Sequence, residues 1–158
     1  VTKLLLSLHV LAAIITVGPV AVAASMFPAT SRRALGDSGD GAARTILRTL
    51  HRICRVYAGI GIAVPLFGFA TASSLGVLRS PWLVVSILLT AAAVGVLALL
   101  ILPAQARALA ETASSAAPSP TATSLTPGRL AMLTGIFNLL WATVTVLMII
   151  RPGSTTGV

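Results

Sequence analysis

Residues 82–102 read WLVVSILLTAAAVGVLALLIL, twenty-one consecutive positions without a charge. At a rise of about 1.5 Å per residue a helix of this length reaches across a ~30 Å hydrocarbon layer. Working outward, stretches 4–27, 56–76 and 130–150 have the same uncharged, apolar character. The pattern predicts an all-α, polytopic transmembrane four-helix bundle forming a single membrane domain over 1–158. A composition of 56% hydrophobic and 9% charged residues agrees, since soluble domains carry about a quarter charged residues. With roughly half the chain inside lipid, little is left for a soluble core.

The net charge of +8 would favour nucleic-acid binding in a soluble protein. Its placement indicates membrane topology instead, so no nucleic-acid partner is expected. Arg32, Arg33, Arg44, Arg48, Arg52 and Arg55 lie between the first two stretches and Arg107 and Arg129 between the last two, against only Lys3, Arg79 and Arg151 on the other side. The positive-inside rule then puts these eight basic residues in the cytoplasm and both termini on the non-cytoplasmic side, the arrangement of a multi-pass protein of a bacterial inner membrane. Lys3 followed by an apolar run and small residues has the outline of a signal peptide. The run exceeds the 7–15 residues of a signal core, and its removal would send six arginines outward, so it is read as a retained span.

Gly18-Pro19 in the first span and Pro65, flanked by Gly59, Gly61 and Gly68, in the second predict kinks, because proline removes a donor and crowds the preceding turn. The run 36–41, GDSGDG, breaks the first helix. A basic amphipathic lead-in over 42–55 follows. At 100° per residue from Arg44, Arg48 falls at about 40°, His51 at about −20°, Arg52 at about 80° and Arg55 at about 20°. Arg44, Arg48, Arg52 and Arg55 thus form one stripe suited to anionic lipid head groups, and the lead-in is expected to lie along the inner leaflet. Ser80-Pro81 and Thr126-Pro127 are helix starts, and Trp82 is placed as an interfacial aromatic. The third helix is read as continuing past Pro103 to about residue 113. Segment 114–128, rich in Ser, Thr, Ala and Pro, reads as a flexible linker.

Few residues inside the spans can do chemistry. His9 sits about five residues into the first span, sharing a face with Ala12, Ala13, Thr16, Val20 and Ala23. A face of small residues turns toward other helices, and an ionisable group there is a functional candidate by default. The plainer role for His9 is a neutral imidazole bonded to a neighbouring helix. Asn138, near the middle of the fourth span, calls for interhelical hydrogen bonding too. His9, Thr16 and Asn138 are the interhelical polar set. A permease would require these three to line one polar path; side chains on separate seams would defeat it. His51 belongs to the arginine stripe and reads as a solvated residue. Cys54, the one cysteine, excludes an intrachain disulfide and reads as a buried thiol. No Asp, Glu or Lys lies within a span, and neither Cys/His metal spacing nor a nucleophile or phosphate-loop motif is present, so no catalytic and no metal-ligating residue is assigned.

The sequence Leu8-His9-Val10-Leu11-Ala12-Ala13-Ile14-Ile15-Thr16-Val17-Gly18 resembles the first helix of a large group of small bacterial integral membrane proteins of unknown function. More distantly it resembles copper-resistance CopD-like and HemJ-like membrane proteins. In HemJ-like proteins the first-helix histidine is a haem ligand and a lysine on a later helix is needed as well. The resemblance therefore makes His9 a candidate haem ligand, while Lys3 is the only lysine of this chain. A copper-handling role would call for a Met or His cluster, which the sequence lacks.

Taken together, the sequence supports a non-catalytic accessory or scaffold subunit of a larger membrane assembly. Its expected partners are a bilayer with anionic head groups and other membrane subunits or further copies of itself. A haem-binding redox or porphyrin-oxidising protein using His9, and a small-molecule permease, are the alternatives.

Overall fold

The computed structural model describes residues 1–36, 41–113 and 126–153. Every regular element among them is helical: α1 Thr2–Gly36, α2 Gly41–Ile60, α3 Ala63–Ser74, α4 Pro81–Gly95, a π-helical segment Val96–Ile101, α5 Leu102–Ala113 and α6 Pro127–Ile150. These join into four helices long and apolar enough to cross a membrane, Thr2–Gly36, Gly41–Ser74, Pro81–Ala113 and Pro127–Ile150. Each outruns its apolar stretch, because a helix continues into the interface wherever no breaker stops it. The expected linker lies outside the described residues over 114–125, and so do residues 37–40 of the glycine-rich break.

Proline acts differently in the two spans where kinks are expected. Helix α1 runs unbroken through Pro19 and Pro28. The second span is interrupted at Gly61 and Ile62, ahead of Pro65. Pro65 has no N–H to offer the Gly61 carbonyl four residues earlier. That carbonyl instead accepts from Val64 N at 3.0 Å, while Ile62 N reaches Gly59 O at 3.3 Å. Two glycines before the proline let the backbone make this tighter turn.

The third span contains a feature that periodicity does not announce. Pro103 likewise deprives the Leu99 carbonyl of its α-helical donor, and the turn before it widens, with Leu102 N–H reaching five residues back to Leu97 O. Helix α3 ends in a Schellman motif: Gly76, at φ 68°, donates to Ser73 O at 3.1 Å and Val77 N to Ala72 O at 3.1 Å. At the C-terminal end of α6, Arg151 adopts the left-handed conformation and lays its guanidinium 5.8 Å from the centre of the Trp82 ring. Trp82 is accordingly buried at the start of α4.

Helix α1 is the hub, packing on α2, α3 and α6, while α4 and the π segment pack on α6 and α2 on α5. The main core joins Val20, Ala24 and Phe27 of α1 to Leu47 and Cys54 of α2, Leu97 and Ile101 of the π segment and Phe137 of α6. It therefore sits toward the arginine-bearing end. The lead-in turns its apolar side to that core: Ala43, Leu47, Leu50 and Cys54, spaced 4, 3 and 4 residues apart, are buried in it. Its basic face is left outward, together with Ile46 and Val56. Serine and threonine hydroxyls in the spans bond back to carbonyls four residues earlier, as Ser86 does to Trp82 at 2.8 Å and Thr71 to Phe67 at 2.7 Å. Such bonds satisfy the hydroxyl where no water is present.

Candidate functional site

Two histidine-centred arrangements stand at opposite ends of the bundle. The first grows from the interruption in the second span. His9 of α1 faces α3, and its Nδ1 lies 2.9 Å from the Val64 carbonyl oxygen, three residues beyond the break. A carbonyl only accepts, so Nδ1 carries the hydrogen, and in the neutral tautomer Nε2 is the nitrogen with the lone pair. One turn further along α3, Gly68 makes room for the ring: a Cβ there would fall 2.9 Å from Cε1, 3.0 Å from Nδ1 and 3.7 Å from Nε2 of His9. The imidazole fills the notch that the missing side chain leaves.

The other polar residues of the spans lie on different seams. Thr16 is buried and bonds its own helix, to Ala12 O at 2.6 Å. Asn138 Nδ2 donates to Ser25 Oγ of α1 at 3.3 Å, and Thr134 Oγ1 lies 3.5 Å from Ala24 O and 3.0 Å from Leu130 O. His9 thus joins α1 to α3, whereas Asn138 and Thr134 join α6 to α1. The Oδ1 of Asn138 and the Nε1 of Trp141 are buried without a hydrogen-bond partner among the described residues.

The second arrangement was not visible in the sequence. His51 is half-buried, and its Nδ1 lies 3.1 Å from Oε1 of Gln105 on α5. Gln105, 0% exposed, directs its Nε2 to Cys54 Sγ at 3.6 Å, and Cys54 is itself 0% exposed. The amide therefore ties α2 to α5 through two side chains one turn apart. His51, Arg52, Arg55 and Val56 line a groove of about 320 Å³ along the outer face of α2. Arg48, Arg52 and Arg55 are exposed and Arg44 is half-buried on the same helix. No group of three or more His, Cys, Asp or Glu able to hold a metal ion occurs among the described residues.

A family described as a predicted integral membrane protein (DUF2269) matches residues 3–152. The chain belongs to this family. The match takes in all four spans of this DUF2269 member, with both histidines, Gln105 and Asn138. It supports the reading of the chain as a small integral membrane protein of unknown function, and the family description assigns no activity. No curated protein matches the chain, and no solved structure does. Gln105 is the only glutamine in the sequence and comes two residues after Pro103 in a helix that is turning polar. Those two facts are the signal that could have singled it out.

Proposed function

We propose that this membrane protein is a non-catalytic accessory or scaffold subunit of a larger membrane assembly. It would sit in a bacterial inner membrane with the arginine-bearing end toward the cytoplasm. The observation that carries the reading is how His9 is used: the one histidine inside an apolar run bonds a backbone carbonyl of another helix and fills a glycine notch. That is a helix-joining role, and Asn138 and Thr134 serve the same end on the α6 seam. Large apolar side chains such as Ile14, Leu66, Leu88 and Leu139 face outward from all four spans, where lipid, other subunits or further copies can meet them. Purification in a gentle detergent, with mass spectrometry of what comes with it, tests the proposal. Partner subunits or a homo-oligomer are expected; a strictly solitary monomer overturns it.

A second reading rests on the same ring. A ligand histidine commonly donates its other N–H to a carbonyl, which orients the ring and raises its basicity, and His9 has that arrangement, its Nε2 making no hydrogen bond to a described residue. With the likeness of the first helix to HemJ-like proteins, His9 would then be the residue that holds haem in a haem-linked redox or porphyrin-oxidising protein. Haem, when bound, would supply the redox-active iron. A Soret band lost in His9→Ala supports this reading, and colourless protein from haem-replete cells defeats it. The permease reading required His9, Thr16 and Asn138 on one path. Their bonds run along separate seams or within one helix, so nothing supports carrying it further.

A further inference from the structure

We propose that the groove on α2 is a discrete site for an anionic phospholipid head group, specifically a phosphodiester that also carries a hydroxyl, as in phosphatidylglycerol. Three observations lead there. Arg52 and Arg55 line the groove, are exposed, and make no ion pair or hydrogen bond with any described residue. Guanidinium matches the paired oxygens of a phosphate. The groove also has an apolar lip: Val56, its fourth lining residue, opens the uncharged run of the second span. An amphiphile can set its phosphate on the arginines and continue along Val56 with its chains, which inorganic phosphate cannot do.

The third observation selects the head group. Gln105 is fully buried, and its Nε2 donates to Cys54 Sγ, so its Oε1 is the atom turned to His51. An amide oxygen only accepts, and His51 Nδ1 must therefore be the donor. In the neutral ring Nε2 is then an acceptor. A bare phosphodiester offers that nitrogen nothing but lone pairs, whereas a head-group hydroxyl can donate to it. The fixed ring thus favours a hydroxyl-bearing diester over one of equal charge without a hydroxyl. Gln105 is a positioning residue here, acting through His51.

Native mass spectrometry of the detergent-purified full chain tests this with phosphatidylglycerol, phosphatidylmethanol (the same charge, no head-group hydroxyl) and phosphatidylcholine. The wild type should retain phosphatidylglycerol above phosphatidylmethanol, and both above phosphatidylcholine. Arg52→Ala/Arg55→Ala should lower retention of both anionic lipids by about tenfold or more, the scale of one lost charge-assisted hydrogen bond. The conservative pair Arg52→Lys/Arg55→Lys, which keeps charge and loses the fork, should lower it too. His51→Phe and Gln105→Leu should erase the preference for phosphatidylglycerol over phosphatidylmethanol while leaving both bound. Arg48→Ala, which removes one positive charge of the same helix outside the groove, should leave retention near wild type. Equal loss in Arg48→Ala would reduce the site to a diffuse basic surface and overturn the proposal. Unchanged retention in the double alanine variant, a preference that survives His51→Phe, or displacement of the lipid by millimolar inorganic phosphate would each overturn it as well.

Discussion

Gly68 lacks a β-carbon where the His9 ring rests: one placed there would stand 2.9 Å from Cε1 and 3.0 Å from Nδ1. Gly68→Ala should therefore push the imidazole off the Val64 carbonyl and destabilise the fold by about 1–3 kcal/mol, the range for overpacking a close-fitted site. Denaturant titration of the detergent-solubilised protein, followed by circular dichroism, measures it. In the His9→Ala background the same substitution should cost markedly less, because the two residues share one contact. Additive effects would show that the notch and the ring are independent.

Removal of the amide at position 105 exposes a second dependence. Gln105→Ala deprives His51 Nδ1 of its acceptor and opens a void beside Cys54. A loss of about 1–3 kcal/mol is expected for the unmade hydrogen bonding and the lost packing. The more specific readout is the thiol: maleimide modification of Cys54, slow in the wild type because the sulfur is buried, should accelerate. An unchanged rate would mean that Gln105 does not cover it.

Deletion of Leu99 from the π segment should restore an ordinary α-helix and turn everything beyond it by about 100°. Leu99 is 74% exposed, so the deletion removes little packing of its own. Gln105 should swing away from α2, and Cys54 should become as reactive as in Gln105→Ala. A thiol still protected in a folded deletion variant would show that the extra residue in that turn does not set the phase of α5.

Sidedness offers an independent check on the charge argument. A reporter fused after Val158 should be active in the periplasm, and one inserted among residues 37–40 should be active in the cytoplasm. The reverse pattern would place the eight-arginine side outside and defeat the positive-inside reading.

The spans were readable because an uncharged run of about twenty residues is a statement about length and solvent, and it survives any detail of packing. Pro65 was equally visible, although the break it causes appears at Gly61 and Ile62, because the carbonyl that a proline orphans lies one turn earlier. His9 stood out as an ionisable group in lipid. Its partner did not, since a backbone carbonyl carries no mark in sequence. Gln105 shows the limit most clearly. On an uninterrupted helix it would lie about 100° around from the buried Ser86. The extra residue in the π turn sets it back by about that amount, onto the buried face. The amphipathic pattern of α2 was legible too, but not what covers its apolar side: the same stripe would suit a leaflet or, as here, α1 and α5.

The interruption at Gly61 and Ile62 bears on how the protein enters its membrane. A span broken in its interior offers the bilayer peptide groups that a continuous helix would hide, and the Val64 carbonyl just beyond the break is met by an imidazole from the preceding span. Lone insertion of the second segment is thereby penalised, whereas insertion beside the first is not. Biogenesis of this chain should proceed by helical hairpins, with its opening pair released laterally as one unit.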